Sequence, residues 1–67
     1  MTGIAVREAL EALPPKHRQV LGLGYDADLT QADIATRLEL PLGTIKSRTY
    51  HALRALRGEM ERRGLGV

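Results

Sequence analysis

Residues 29–50, LTQADIATRLELPLGTIKSRTY, restrict the possible folds more than any other stretch of the chain. Ile34, Ala35 and Leu38 recur at the spacing of one helical face. A short turn at 39–42 follows, punctuated by Pro41. A second helix is predicted to open at Gly43-Thr44 and to carry Ile45, Lys46, Ser47 and Arg48. Two helices joined by so tight a turn make a helix-turn-helix.

The remainder of the chain supplies the support such a motif needs. Val6, Ala9, Leu10 and Leu13 fall at i, i+3, i+4 and i+7, an amphipathic stripe. Pro14-Pro15 ends that helix, because the residue before a proline is pushed out of the α region. Pro15 in turn suits a first helical position. The second helix, about 15–25, is expected to turn Val20, Leu21 and Leu23 inward and Lys16, His17 and Arg18 outward. Gly22 and Gly24 weaken it by roughly 1 kcal/mol each relative to alanine, so its last turn should fray or the glycines should admit a close helix contact. Residues 26–28 read as a polar turn. Thr30 reads as an N-cap with Asp33 three positions on, a short form of the capping box. The third helix, about 31–39, buries Ile34, Ala35 and Leu38. The fourth runs from Gly43-Thr44, with one of these near the cap, to about residue 63, and the tail 64–67 is expected to be loose. The expected fold is all-α: one four-helix domain over 1–67, with the helix-turn-helix at about 30–57.

Sixty-seven residues limit that domain to a small core. A chain of this size buries only about 60% of its unfolded surface, so its stability should be a few kcal/mol. With no Cys, Phe or Trp, the core must be Leu, Ile, Val and Ala, and neither disulfides nor thiolate metal sites are available. His17 and His51 have no companion at metal-ligand spacing, so neither metal nor cofactor is expected. No apolar run approaches the ~20 residues of a membrane span, and no signal peptide is visible, which points to a cytoplasmic protein.

The net charge of +2 is uneven. Between Leu40 and Arg57 lie Lys46, Arg48, Arg54, Arg57 and His51, with no acid. Six of the eight acids precede Leu40, and the others are Glu59 and Glu61. At 100° per residue, Lys46, Arg57, Tyr50, Arg54 and Ser47 fall within about 100° of one another, with His51 just beyond. Ile45, Thr49, Ala52, Leu53, Leu56 and Met60 take a separate arc suited to the core. A basic helix face alone is commonly just a solvated face. Here it stands in register with the turn upstream, and a helix-turn-helix places its second helix in the major groove of DNA. Lysine and arginine suit phosphates and guanine edges, and Tyr50 a thymine methyl or a sugar. The amides of Gly43 and Thr44 offer a phosphate site at the helix start. Thr30, chiefly a cap, and Gln31 complete the candidate contacts. Arg62 and Arg63 are expected in solvent, and Tyr25 at the edge of the core.

Leu13-Pro14, Arg18, Val20-Leu21, Leu23, Tyr25, Leu29-Thr30, Ile34-Ala35, Leu38 and Pro41 to Arg48 together resemble region four of bacterial sigma factors. The GTIKSR hexamer is most similar to the extracytoplasmic-function group. The resemblance covers about 13–57. It implies binding to the −35 promoter element of double-stranded DNA, with Gly43, Thr44, Lys46, Ser47, Arg48, Tyr50 and His51 at the DNA-facing positions. Arg48 lies on the flank of that face and suits a phosphate. The resemblance also implies two protein partners: the β flap of RNA polymerase core and an anti-sigma factor. Two positions depart from the pattern. Glu39 stands where many such motifs place a left-handed glycine, a geometry that costs other residues about 1–2 kcal/mol. His51 stands where relatives often carry arginine, and an imidazole offers fewer donors than a guanidinium. Nothing here resembles the sigma region that melts the −10 element. The chain therefore reads as an excised fragment of a longer sigma factor, with Met1-Thr2-Gly3 an appendage.

Two other functions fit the same residues. A response-regulator type of helix-turn-helix has a similar IA…L…TIK core, but it dimerises and lacks the flanking LPPKHRQVL and SRTYHALRALR. A protein-interaction module would use the fourth helix to bind a partner such as an anti-sigma factor. An enzyme is not expected: the helix spacing gathers no serine–histidine–carboxylate set, and there is no phosphate loop.

Overall fold

The computed structural model describes residues 2–25 and 27–64 of the chain, with side chains from Val6 onward. Four helices follow one another: α1 (Thr2–Glu11), α2 (Pro15–Tyr25), α3 (Gln31–Leu38) and α4 (Leu42–Arg62). The all-α expectation holds, and no strand occurs among the described residues. Asp26 of the expected polar turn, Met1 of the expected appendage and 65–67 of the expected loose tail lie outside them.

Helix α4 is the axis of the domain. Its 21 residues span about 31 Å at 1.5 Å per residue, nearly the full 35 Å length of the molecule. The three shorter helices pack around it, α2 most extensively. Ile45, Ala52 and Leu56 form its inward stripe, meeting Ala9 and Leu13 from the first segment, Val20 and Leu21 from α2, and Ile34 and Ala35 from α3. Ile45 and Val20 are the largest side chains fully enclosed. No polar side chain is buried among the described residues.

The junctions show why the helices begin and end where they do. Between α1 and α2, the Arg18 guanidinium donates to the carbonyl of Glu11 (3.2 Å), satisfying a group that the end of α1 leaves open. The α2–α3 loop is closed by the Leu29 amide, which donates to Leu23 O (3.2 Å). Thr30 caps α3 as expected: its hydroxyl accepts from the Asp33 amide (3.1 Å), and the Asp33 carboxylate accepts from the Thr30 amide (3.2 Å). This reciprocal pair is a capping box with aspartate in place of glutamate.

Four expectations need correction. Helix α2 remains helical through Tyr25, and its glycines make no close contact. A Cβ on Gly22 would meet nothing within 4 Å, and one on Gly24 would sit 4.0 Å from Ile34 Cδ1. His17 is half-buried rather than outward, with Nδ1 shielded from solvent and unpaired. It lies three and four residues before Val20 and Leu21, so it shares their face. Leu53, assigned to the core arc, is 49% exposed. It sits about 80° around the helix from Ile45, beyond the reach of the short helices. Finally, α4 starts at Leu42 with Pro41 as its N-cap residue, one residue before Gly43-Thr44. Proline carries no cap side chain, but its carbonyl accepts from Thr44 N (3.0 Å) and Ile45 N (3.2 Å).

Candidate nucleic-acid interface

Everything the interface can do depends on how 39–41 turn the chain. Glu39 is left-handed, with φ 56° and ψ 46°. Its amide donates to Thr36 O (3.3 Å), and the Leu40 amide reaches back to Ala35 O (3.0 Å). These two bonds, 5→2 and 6→1, form a Schellman motif. Leu40 then folds against the core, the apolar contact that commonly accompanies the motif. Glutamate therefore adopts the geometry usually given to glycine, at a cost of about 1–2 kcal/mol. That strained residue sets the angle at which α4 leaves the turn.

The start of α4 is open. No side chain caps it and its first turn contains no acid. Because Thr44 N is taken by Pro41, the uncapped amides are those of Leu42 and Gly43, a shift of one residue from the expected Gly43-Thr44 pair. Leu42 is 41% exposed. Sequence reading missed it because the helix was started one residue late. Pro at an N-cap followed by Leu-Gly was the available signal.

Along the outward face, Gly43, Lys46, Ser47, Tyr50, His51 and Arg54 are exposed, while Thr44 and Arg48 are half-buried at its margins. Three of these side chains touch. Arg54 Nη1 donates to Tyr50 Oη (3.3 Å), and its guanidinium carbon lies 5.7 Å from the Tyr50 ring centroid. The His51 ring meets Tyr50 edge-on at 5.3 Å and 75°. At exposed sites such a cation–π contact contributes roughly 0.5–1 kcal/mol. Thr30 and Gln31 stand apart, at the start of α3. The Thr30 hydroxyl is engaged in the cap, Gln31 is half-buried, and no hydrogen bond among the described residues links either to α4.

The charges divide along α4. Among the described residues, no carboxylate comes within ion-pair reach of Lys46, Arg48 or Arg54. Farther along, Arg57 Nε meets Glu61 Oε2 at 3.4 Å, and Arg62 and Arg63 both pair with Glu59. Arg62 and Arg63 are thus paired rather than merely solvated. Their i,i+3 and i,i+4 spacings were legible in the sequence. Arg57 belongs to the basic arc by angle, but its charge is already answered.

A second surface feature lies elsewhere. Val6, Arg7, Leu10 and Glu11 of α1, with Arg18, Gly22 and Tyr25 of α2, line an open groove of about 540 Å³. Tyr25, expected at the core edge, is 73% exposed beside it. No group of three or more His, Cys, Asp or Glu side chains able to hold a metal occurs among the described residues. No helix among them is long and apolar enough to cross a membrane.

Comparison with known proteins agrees with this geometry. The family described as Sigma-70, region 4 matches residues 9–58. The ECF RNA polymerase sigma factor SigL of Mycobacterium tuberculosis is 37% identical over 62 residues, covering 92% of this chain and 35% of the relative. SigK of Mycobacterium bovis, also an ECF RNA polymerase sigma factor, is 46% identical over 52 residues, covering 78% of this chain and 28% of the relative. The chain spans about a third of the length of these relatives. With three quarters of its length matched by that family and two such relatives, the chain belongs to the sigma-70 region 4 family, the non-enzymatic helix-turn-helix domain of sigma factors that binds the −35 promoter element.

Proposed function

We propose that this domain lays the first half of α4 in the major groove of −35 promoter DNA, as one part of a sigma factor that directs RNA polymerase to initiate transcription in the cytoplasm. The observation that carries the proposal is the run from Leu42 to Arg54. It has an open helix start, no acid, and three cations, Lys46, Arg48 and Arg54, that meet no carboxylate among the described residues. Lys46, Ser47, Tyr50, His51 and Arg54 face the bases and their flanking phosphates. The free amides of Leu42 and Gly43, with Thr44 beside them, let the backbone approach a phosphate at the helix start. Arg48, on the margin, takes a phosphate. Thr30 and Gln31 are assigned to the neighbouring DNA backbone, Thr30 through whatever capacity its cap leaves.

Residues 1–67 act as one unit in this reading, with about 30–57 as the DNA-reading part. Its protein partners are the β flap of the polymerase core and an anti-sigma factor. The groove between α1 and α2, with the exposed Tyr25, supports a protein-facing role for that side. A module that uses α4 to bind only a protein partner is the second reading, and the exposed Leu42 and Leu53 on that helix are the observation in its favour.

Titrating a labelled duplex with a −35-like AAC core, against a scrambled duplex at two salt concentrations, tests the proposal. A lone domain making about 4–6 phosphate contacts should bind modestly and lose affinity steeply with salt. Preference for the AAC duplex, lost in Lys46→Ala, supports promoter reading. Equal binding to both duplexes reduces the domain to a nonspecific basic module. No binding at low salt favours the protein-partner reading.

A further inference from the structure

Tyr50 and Arg54 stand one turn apart on the exposed face of α4, and their contact limits what Tyr50 can read. A tyrosine hydroxyl has one proton to donate and lone pairs to accept, whereas a guanidinium only donates. Arg54 Nη1 donates to Tyr50 Oη at 3.3 Å, and the same guanidinium lies 5.7 Å from the ring centroid. The oxygen is thus held as an acceptor, and the ring is fixed between this contact and the edge-on His51 ring at 5.3 Å. The hydroxyl proton has no acceptor among the described side chains. It faces outward with Tyr50, which is 57% exposed.

We propose that Arg54 is a positioning residue for Tyr50, and that it commits the Tyr50 hydroxyl to donating toward a hydrogen-bond acceptor on the duplex. The ligand class is an acceptor atom: purine N7, guanine O6, thymine O4 or a phosphate oxygen. An edge offering only an amino donor, such as cytosine N4, gains no bond from that proton and is disfavoured at that position. The inference rests on α4 being the DNA-reading helix. Arg54 then contributes twice: by its charge, as any cation would, and through Tyr50, as only a group in contact with the ring can.

A double-mutant cycle on the 67-residue chain separates the two contributions. Tyr50→Phe should weaken binding to the AAC duplex about fivefold while leaving the salt dependence unchanged, because a neutral hydrogen bond releases no counterion. Arg54→Ala should cost about tenfold and lower the salt slope by about 0.9. In the Tyr50→Phe background, Arg54→Ala should cost only about threefold, the non-additivity expected of residues acting as a pair. All these sites are exposed, so the variants should stay folded, with thermal midpoints within a few degrees of the parent. Duplexes modified one position at a time then locate the acceptor. The modifications are 7-deazapurines, 6-deoxyguanine analogues, 5-methyl-2-pyrimidinone for thymine, and methylphosphonates. At one position Tyr50→Phe should cause no further loss. A modified base there assigns a base edge, and a methylphosphonate assigns a phosphate. Strict additivity of the cycle, or a Tyr50→Phe effect that no modification removes, overturns the proposal while leaving promoter binding intact. Failure of the parent chain to bind any duplex overturns both.

Discussion

The two halves of α4 contain the same kinds of residue and present opposite surfaces. From Leu42 to Arg54 the helix carries Lys46, Arg48 and Arg54 against no acid. From Ala55 to Arg62, two arginines meet two glutamates, and Arg57, Arg62 and the adjacent Arg63 are all engaged by Glu59 or Glu61. One half holds its positive charge apart from any carboxylate among the described residues; the other carries its arginines in exposed ion pairs within the helix. Surface pairs of this kind add little to stability. Their consequence is spatial, since they end the basic face about midway along the helix. A count of arginines would have extended it to the C-terminus.

The largest effect expected from this contrast is on DNA affinity. Replacing Lys46 and Arg54 together by alanine should weaken binding about 50- to 100-fold near 0.1 M salt and reduce the salt slope by about 1.8. Arg62→Ala with Arg63→Ala, the same charge removed from the other half, should change affinity less than twofold. Equal losses in fluorescence titrations would abolish the distinction between the halves.

Next come the two glycines of α4. A Cβ on Gly43 or on Gly58 would meet nothing within 4 Å, so neither is required by packing. Alanine at either should stabilise the helix by up to about 1 kcal/mol, with the gain smaller at Gly43 in the first turn. Only Gly43→Ala should weaken DNA binding, by about tenfold, since a methyl there stands between the backbone and a phosphate. Thermal melts paired with titrations would read both. Equal DNA affinity in the two variants would refute close backbone approach at Gly43.

A smaller effect belongs to the turn that delivers the first half. Glu39→Gly should raise stability by about 1 kcal/mol by removing the left-handed strain, shifting the melting midpoint by about 4–8 °C in a domain this small. DNA affinity should be unchanged. A fall in affinity would mean that Glu39 does more than turn the chain.

The smallest effect tests the pairing directly. Glu61→Gln releases Arg57, which already lies on the basic arc, and should strengthen DNA binding about twofold while steepening the salt slope. An unchanged slope would show that Arg57 cannot reach the duplex even when unpaired.

Much of this was legible in the sequence, because local chemistry settled it. Thr30 and Asp33 announced a capping box and formed one. Pro14-Pro15 divides α1 from α2, and the helix-turn-helix pattern puts the left-handed position at Glu39, where the backbone adopts it. Other points were not legible. The spacing of His17 to Val20 and Leu21 lies in the sequence, but how far the packed helices shield its Nδ1 does not. Leu53 fell inside an apolar arc drawn on a wheel, yet no neighbouring helix is placed to cover it. Arg57 lies on the basic arc by angle and is exposed there, while its pairing with Glu61 depends on the rotamers of both side chains.

The sequence by itself determined four helices, the boundaries of α2, α3 and α4 to within a residue or two, and the apolar stripe through Ile45, Ala52 and Leu56. Each of these depends on periodicity, capping or turn chemistry within a few residues. The tertiary structure decided how much of the α4 surface is open, because exposure depends on where α1, α2 and α3 run out of length against a 31 Å helix. It also decided how Tyr50 is held against Arg54 and His51. These follow from rotamers and interhelical distances, which no pattern along the chain specifies.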